Sequence, residues 1–249
     1  MSNNVYASYN GSQLGFTVRD FALNQRSFSN NGVSASSIAA GTNGDVYLTA
    51  ANHIYHYKID GTLVRDMTFP DKGIIYSSVV VRGDRVYATY TGSQKGVTVR
   101  DLSLEQRSFF ATGVEANGVA AGPNNDVYIA AGNKILNYST GGQLIKDMTF
   151  PVSSINYTDI SVLGNTVFAA YNGSQLGFTI RELDLSQRAF HNIGVNIAGI
   201  AAGPNNDVYL TSANKILNYG TNGSLIKDMT FPVSSINYTS VAVIFETTT

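Results

Sequence analysis

Apolar and polar residues alternate along this chain in short runs separated by Gly, Asn, Asp and Ser, and no run sustains the apolar spacing of a helix. The pattern is plainest between Gly118 and Pro151. Gly118 to Ala121 is small and apolar, which suits a crowded innermost strand. Pro123-Asn124-Asn125-Asp126 carries residue types that accept tight turn dihedrals. Asp126 to Ala130 alternates and is rich in β-formers, Asn133 to Tyr138 predicts a third strand, and Leu144 to Phe150 a fourth. A Ser139-Thr140-Gly141-Gly142 turn joins the last two. Lys146 and Asp147 put charge on the outer strand, as an edge that must not pair requires. Pro151 stops it.

This pattern repeats. Gly118 to Pro151 returns nearly intact as Gly199 to Pro232 and more loosely as Ser37 to Pro70. Pro70, Pro151 and Pro232 lie 81 residues apart, as do Val5, Val86 and Val167. Leu144 to Thr158 and Leu225 to Thr239 are identical. The repeat units run from about 5 to 85, 86 to 166 and 167 to 247. Each divides into two weakly similar halves of about 40 residues with four short strands, the size of one propeller blade. Two blades in each of three units predict an all-β chain: one six-bladed β-propeller over residues 1–249, with internal threefold symmetry. The ends fit the same scheme. Val5 to Tyr9 matches the second strand of a blade, and the missing innermost strand is found at Ser240 to Ile244. Pairing of these two segments would close the ring and remove an exposed edge. Phe245 falls where Gly83 and Gly164 begin the next turn.

Composition narrows the function. Charged residues make up 13% of the chain, the net charge is -1 and the isoelectric point is near 6.3. That leaves no electrostatic footprint for nucleic acid or an anionic membrane. No apolar run reaches the roughly 18 residues a bilayer span needs, so no membrane insertion is expected. The chain has no Cys, which excludes disulfides and thiolate metal sites. The start MSNNVYASYN has neither a basic nor an apolar signal region. The expectation is a cytoplasmic protein, one released by a route needing no signal, or a mature form written with a new Met. Asn10-Gly11-Ser12 and Asn156-Tyr157-Thr158 match the glycosylation triplet and are read as chance in an Asn- and Ser-rich chain.

The second half of each unit resembles an NHL repeat. The residues that carry the likeness are Gly118-Val119-Ala120, Asn125-Asp126-Val127-Tyr128-Ile129, Asn133-Lys134-Ile135 and Gly142-Gln143-Leu144-Ile145. It covers three of the six blades well and the other three poorly. The resemblance implies a propeller used as a protein-interaction platform, an RNA binder or, in a few members, a lyase- or lactonase-like enzyme. The near-identical units are also similar to tectonin- and tachylectin-type propeller lectins, although the Trp-rich signatures of those lectins are missing.

The candidate site is threefold. In a propeller, the loops between second and third strands share a face with the linkers between blades. Three Gly-Ser-Gln loops, with Ser12 and Gln13, Ser93 and Gln94, and Ser174 and Gln175, should meet three linkers. Those linkers carry Tyr76, Asn156 with Tyr157, and Asn237 with Tyr238, and Tyr9, Tyr90 and Tyr171 back them. Neutral hydrogen-bonding groups beside an aromatic face suit a glycan or another uncharged polar ligand. Three weak sites on one ring would gain through multivalency. The structural alternative is that the linker Tyr and Ile pack between blades and Ser and Gln cap the turn.

Other candidates are weaker. Arg19-Asp20, Arg100-Asp101 and Arg181-Glu182, with Gln25-Arg26 and its repeats, read as surface pairs. His53 and His56 point to opposite strand faces, and His191 stands in another blade, so no metal site is expected. Asp159 is the lone acid on the innermost strands, too little for a calcium cage or an acid–base pair. Arg82-Gly83-Asp84 occurs in one unit and reads as a turn. The chain is expected to be a non-enzymatic, lectin-like binder without a cofactor. The alternative is an NHL-type scaffold with a protein partner, and behind it a lactonase- or lyase-like enzyme.

Overall fold

The computed structural model describes residues 3–245. The last two residues of the third expected repeat, 246 and 247, lie outside the described residues. Among the described residues, 24 strands form six four-stranded antiparallel sheets. Blade 1 holds β1 (Asn4–Gly11), β2 (Gly15–Arg19) and β3 (Gln25–Asn30). Blade 2 holds β4 (Ser37–Ala40), β5 (Val46–Ala50), β6 (His53–Tyr57) and β7 (Leu63–Thr68). Blade 3 is β8 (Ile74–Arg82), β9 (Arg85–Gly92), β10 (Gly96–Asp101) and β11 (Gln106–Ala111). Blade 4 is β12 (Gly118–Ala121), β13 (Asp126–Ala131), β14 (Lys134–Ser139) and β15 (Leu144–Thr149). Blade 5 is β16 (Ile155–Leu163), β17 (Thr166–Gly173), β18 (Gly177–Glu182) and β19 (Gln187–Asn192). Blade 6 is β20 (Gly199–Gly203), β21 (Asp207–Ser212), β22 (Lys215–Gly220) and β23 (Leu225–Thr230).

β24 (Ile236–Ile244) completes blade 1 as its innermost strand, pairing with β1 from Asn4↔Ile244 to Gly11↔Ile236. Each innermost strand touches the innermost strands of both neighbouring blades, so the ring is closed. The fold is the six-bladed β-propeller that the spacing predicts.

The core lies between blades. Six apolar clusters each join two adjacent sheets, for example Tyr128, Ile135 and Phe150 of blade 4 with Ile155, Tyr157 and Leu185 of blade 5. The middle strands are buried on both faces, so they carry near-continuous apolar residues, as in β17 (Val167, Phe168, Ala169, Ala170, Tyr171). The outer strands face water and mix charged and polar residues with exposed apolar ones.

One sequence expectation is corrected. The stretches read as linkers, Ile74–Ser77, Ile155–Thr158 and Ile236–Thr239, are the first halves of β8, β16 and β24. Each nine-residue strand bulges between its tyrosine and the axis, at Tyr76/Ser78, Tyr157/Asp159 and opposite Ser8/Tyr9. The bulge bends the strand from the rim towards the axis.

Candidate functional site

Strand alternation decides where each predicted residue points. In β16, Ile155 and Tyr157 are buried and Asn156 between them is exposed. Ile74, Tyr76, Ile236 and Tyr238 are buried in the same way, and Ile75 and Asn237 are exposed. Tyr76, Tyr157 and Tyr238 are 0%, 0% and 2% accessible. Their rings meet Phe69, Phe150 and Phe231 of the preceding blade edge-on, at interplanar angles of 70°, 71° and 75°. These three tyrosines offer no ring face to a ligand. They are the apolar joint between blades.

Their hydroxyls meet a second set of residues that the sequence reading misplaced. Arg19, Arg100 and Arg181 are not surface pairs: they are 5%, 6% and 4% accessible. Each donates Nη1 to a carbonyl, of Leu23, Leu104 and Leu185, at 2.8–2.9 Å. Arg181 Nη2 also donates to Tyr157 Oη at 3.4 Å. Burial raises the phenol pKa of Tyr76, Tyr157 and Tyr238, and the neighbouring guanidinium opposes it. The repetition of a charged residue at an inward position of a buried strand is the signal that would have found this cluster.

The Gly-Ser-Gln loops do meet the segments leading into the inner strands, but at a different point. Ser12 Oγ lies 2.8 Å from Ser235 Oγ, Ser174 Oγ 2.8 Å from Ser154 Oγ, and Ser93 donates to Asp71 at 2.8 Å. The glycines are required by close approach. A Cβ on Gly11, Gly92 or Gly173 would stand 1.9 Å from the carbonyl oxygen of Ser235, Gly73 or Ser154, and all three have positive φ. Gln94, Gln175, Asn156 and Asn237 are exposed and Gln13 is half-buried. The structure therefore joins the serines to the strand entries. It does not gather Gln, Asn and Tyr into three aromatic-backed clusters.

The same face does carry a concavity. A funnel of about 640 Å³ opens over the axis, where Ser36, Ser77, Asn117, Thr158, Asn172 and Asn196 alternate with apolar Ile75, Ala116, Ile197, Ala198 and Ala213. None of its lining residues is ionised. Much of its polar wall is held in place: Asn117 donates to the Tyr157 carbonyl at 2.7 Å, Ser36 to the Tyr76 carbonyl at 3.1 Å, and Asn172 exchanges hydrogen bonds with the backbone of Ile197. Hydroxyls and amides fixed in this way, set among Ile and Ala side chains, lower the entropy cost of binding.

The axis itself holds a smaller cavity of about 150 Å³. Six equivalent inner-strand positions circle it: Ser37, Ser78, Gly118, Asp159, Gly199 and Ser240. The side chains here bond across blades. Ser37 Oγ accepts the Val79 N–H at 3.3 Å and Ser78 Oγ that of Val119 at 3.2 Å. Asp159 accepts the N–H groups of Ile200 and Ile160, both at 2.9 Å. Its bulk is admitted because the neighbouring position is Gly118, where a Cβ would meet Asp159 Oδ1 at 2.5 Å. Burial pushes the Asp159 carboxyl up to about 7, against those two donors. The polar ring thus ties adjacent blades together at the axis.

No family model matches the chain, and no curated protein matches it. Solved structures do. A protein of unknown function from Bacteroides caccae superposes with a TM-score of 0.77 at 12% identity, over 98% of this chain and 100% of that one. The WD40 domain of Neurospora crassa Pan2 superposes with a TM-score of 0.61 at 12% identity, over 79% of this chain and 66% of that one. At this identity the likeness defines the class by fold alone: a β-propeller. Among the described residues no helix is long and apolar enough to cross a membrane.

Proposed function

We propose that this propeller is a non-enzymatic recognition module that takes one neutral, hydroxyl-rich ligand of the carbohydrate class in the axial funnel. The observation that carries the reading is the funnel's lining, which sets hydroxyl and amide groups beside small apolar side chains and has no ionised side chain. Such groups exchange hydrogen bonds with sugar hydroxyls without desolvating a charge. The volume falls within the range of small-ligand sites. One ligand per ring replaces the three expected from the repeat, since the linker tyrosines are buried.

A second reading has its own support. Leu63-Val64, Leu144-Ile145 and Leu225-Ile226 repeat on the rim as exposed apolar pairs. With the NHL resemblance of the same blades, they favour a scaffold that docks a protein on its edge.

The test is a glycan array with the purified chain, competed by free sugar, and repeated with Ala198→Arg and Asn196→Arg. Both residues are exposed at the funnel. Competable binding that weakens at least about tenfold in either variant is the expected result. No binding across the array, or binding indifferent to both variants, removes the carbohydrate reading and leaves the rim scaffold.

A further inference from the structure

The opposite face carries a pocket that the repeat itself explains. It holds about 290 Å³ and lies between blade 4 and the β18–β19 turn of blade 5. Its polar wall includes Asp126, Asn137, Ser139 and Asp184 with the Asn124-Asn125 turn, and Ile145, Leu183 and the Tyr128 ring add apolar surface. Asp126 and Asn137 are each 5% accessible. Asn137 Nδ2 donates to Asp126 Oδ2 at 3.1 Å. That leaves Asp126 Oδ1 and Asn137 Oδ1 buried without a hydrogen-bond partner. Two buried acceptors with no donor, one of them on a carboxylate, are an expensive arrangement.

Blade 2 shows how a cation satisfies such a carboxylate, whereas in blade 6 Asp207 Oδ1 accepts the Asn205 N–H at 3.2 Å. Eighty-one residues earlier in the chain, Asp45 takes the place of Asp126, His56 that of Asn137 and Lys58 that of Ser139. In blade 2 the buried carboxylate is satisfied by the chain's own cation. Lys58 Nζ lies 3.2 Å from both Asp45 oxygens, and His56 Nε2 lies 2.7 Å from Oδ2. In blade 4 the cross-strand position facing Asp126 is Ser139. The short side chain leaves the space of the Lys58 ammonium unfilled. Asp184 adds a second carboxylate at the mouth, where the β10–β11 turn of blade 3, beside blade 2, has Ser103. The Ser186 hydroxyl and N–H both donate to Asp184 Oδ1 and draw its carboxyl pKa down, and Lys146 adds to this from outside the pocket lining.

We propose that the blade 4 pocket binds an aliphatic primary ammonium group. The ammonium occupies the position of Lys58 Nζ, bonded to Asp126 and Asn137, and its alkyl chain lies against Ile145 and Leu183. The site goes beyond the funnel reading and lies on the other face of the ring. Calcium fits less well, since it takes six to eight oxygens and this wall offers few. The group can come from a free amine or from the lysine side chain of a partner protein, which the experiment separates.

The experiment titrates the folded, ¹⁵N-labelled full chain with n-butylammonium chloride and reads the amide signals of Asp126, Asn137, Ser139 and Asp184 by NMR. Saturable shifts at these amides are expected, with none from sodium chloride or tetramethylammonium chloride at equal ionic strength. Ser139→Lys supplies the missing cation internally, as Lys58 does, and should weaken binding at least about tenfold. This variant keeps Asp126 charged and paired, so it folds even if Asp126→Asn does not. Replacing butylammonium by Nα-acetyl-lysine N-methylamide compares the two sources: tighter binding of the lysine amide favours a partner's lysine, and the reverse favours a free amine. No saturable shift, equal shifts with tetramethylammonium, shifts with calcium chloride but not butylammonium, or binding unaffected by Ser139→Lys each overturns the proposal.

Discussion

Tyr157 looks like a ligand-facing aromatic in the sequence and is the hinge pin of a blade interface in the structure. Its ring packs on Phe150 and its hydroxyl accepts from Arg181. Tyr157→Ala should therefore cost about 3–5 kcal/mol, since it opens a cavity and strips a buried guanidinium of a partner. Urea denaturation followed by tyrosine fluorescence measures this. An unchanged midpoint would return the residue to the surface. Asp159 makes a second prediction at this scale. Its carboxyl titrates at about 7 in the folded chain against an ordinary value of 3.8. Between these values the native state holds a proton that the unfolded state has released. The contribution to stability is thus full below the unfolded pKa and is lost as pH rises through the folded one. Asp159→Asn stays neutral. Asn offers one acceptor where Asp159 uses two, so the variant carries a constant cost, but wild type should lose on the order of a few kcal/mol relative to it as pH rises across that window. Chemical denaturation of both chains at pH 5 and pH 8 checks the sign.

At the scale of the element, the Gly-Ser-Gln loop is a fastening between the second strand of a blade and the entry of the first. Gly173 has φ +135° and no room for a Cβ beside Ser154. Gly173→Ala should cost at least about 2 kcal/mol, or about 4–8 °C in Tm by calorimetry. Ser174→Ala, which loses one exposed hydrogen bond, should cost under about 1 kcal/mol. Comparable losses would mean that the serine pair, not the backbone approach, fastens the loop. The strands themselves were legible. Gly118–Ala121 agrees residue for residue, and Asp126–Ala130 differs by one residue. The extension of the inner strands into Ile74–Ser77 and its repeats was not legible. A bulge shifts the alternation by one residue, so the apolar period breaks where the strand continues.

Over the whole molecule, β24 closes the ring against β1 and packs on blade 6 through Ile236, Tyr238 and Val241. A chain ending at Val233 would leave β1 as an open edge and that cluster half uncovered. It should lose the single cooperative thermal transition and expose apolar surface to a hydrophobic dye. A sharp transition near the wild-type Tm would show that the closure is dispensable. The threefold repeat sets the frame, and its departures carry the individuality of the protein. His56 and Lys58 in blade 2 give way to Asn137 and Ser139 in blade 4, and Ser78 and Ser240 give way to Asp159 in blade 5.

Strand periodicity, turn residues and a constant repeat were enough to determine the blade, the number of blades and the ring closure, because these depend on local pattern and on covering every sheet face. The positions of single side chains were not determined in that way. Whether Tyr157 meets a ligand or a phenylalanine depends on which strand face the next blade covers. Whether Asp126 is satisfied depends on one residue across the sheet. Burial and cross-strand neighbours come from packing six blades against one another, and only the tertiary structure supplies them.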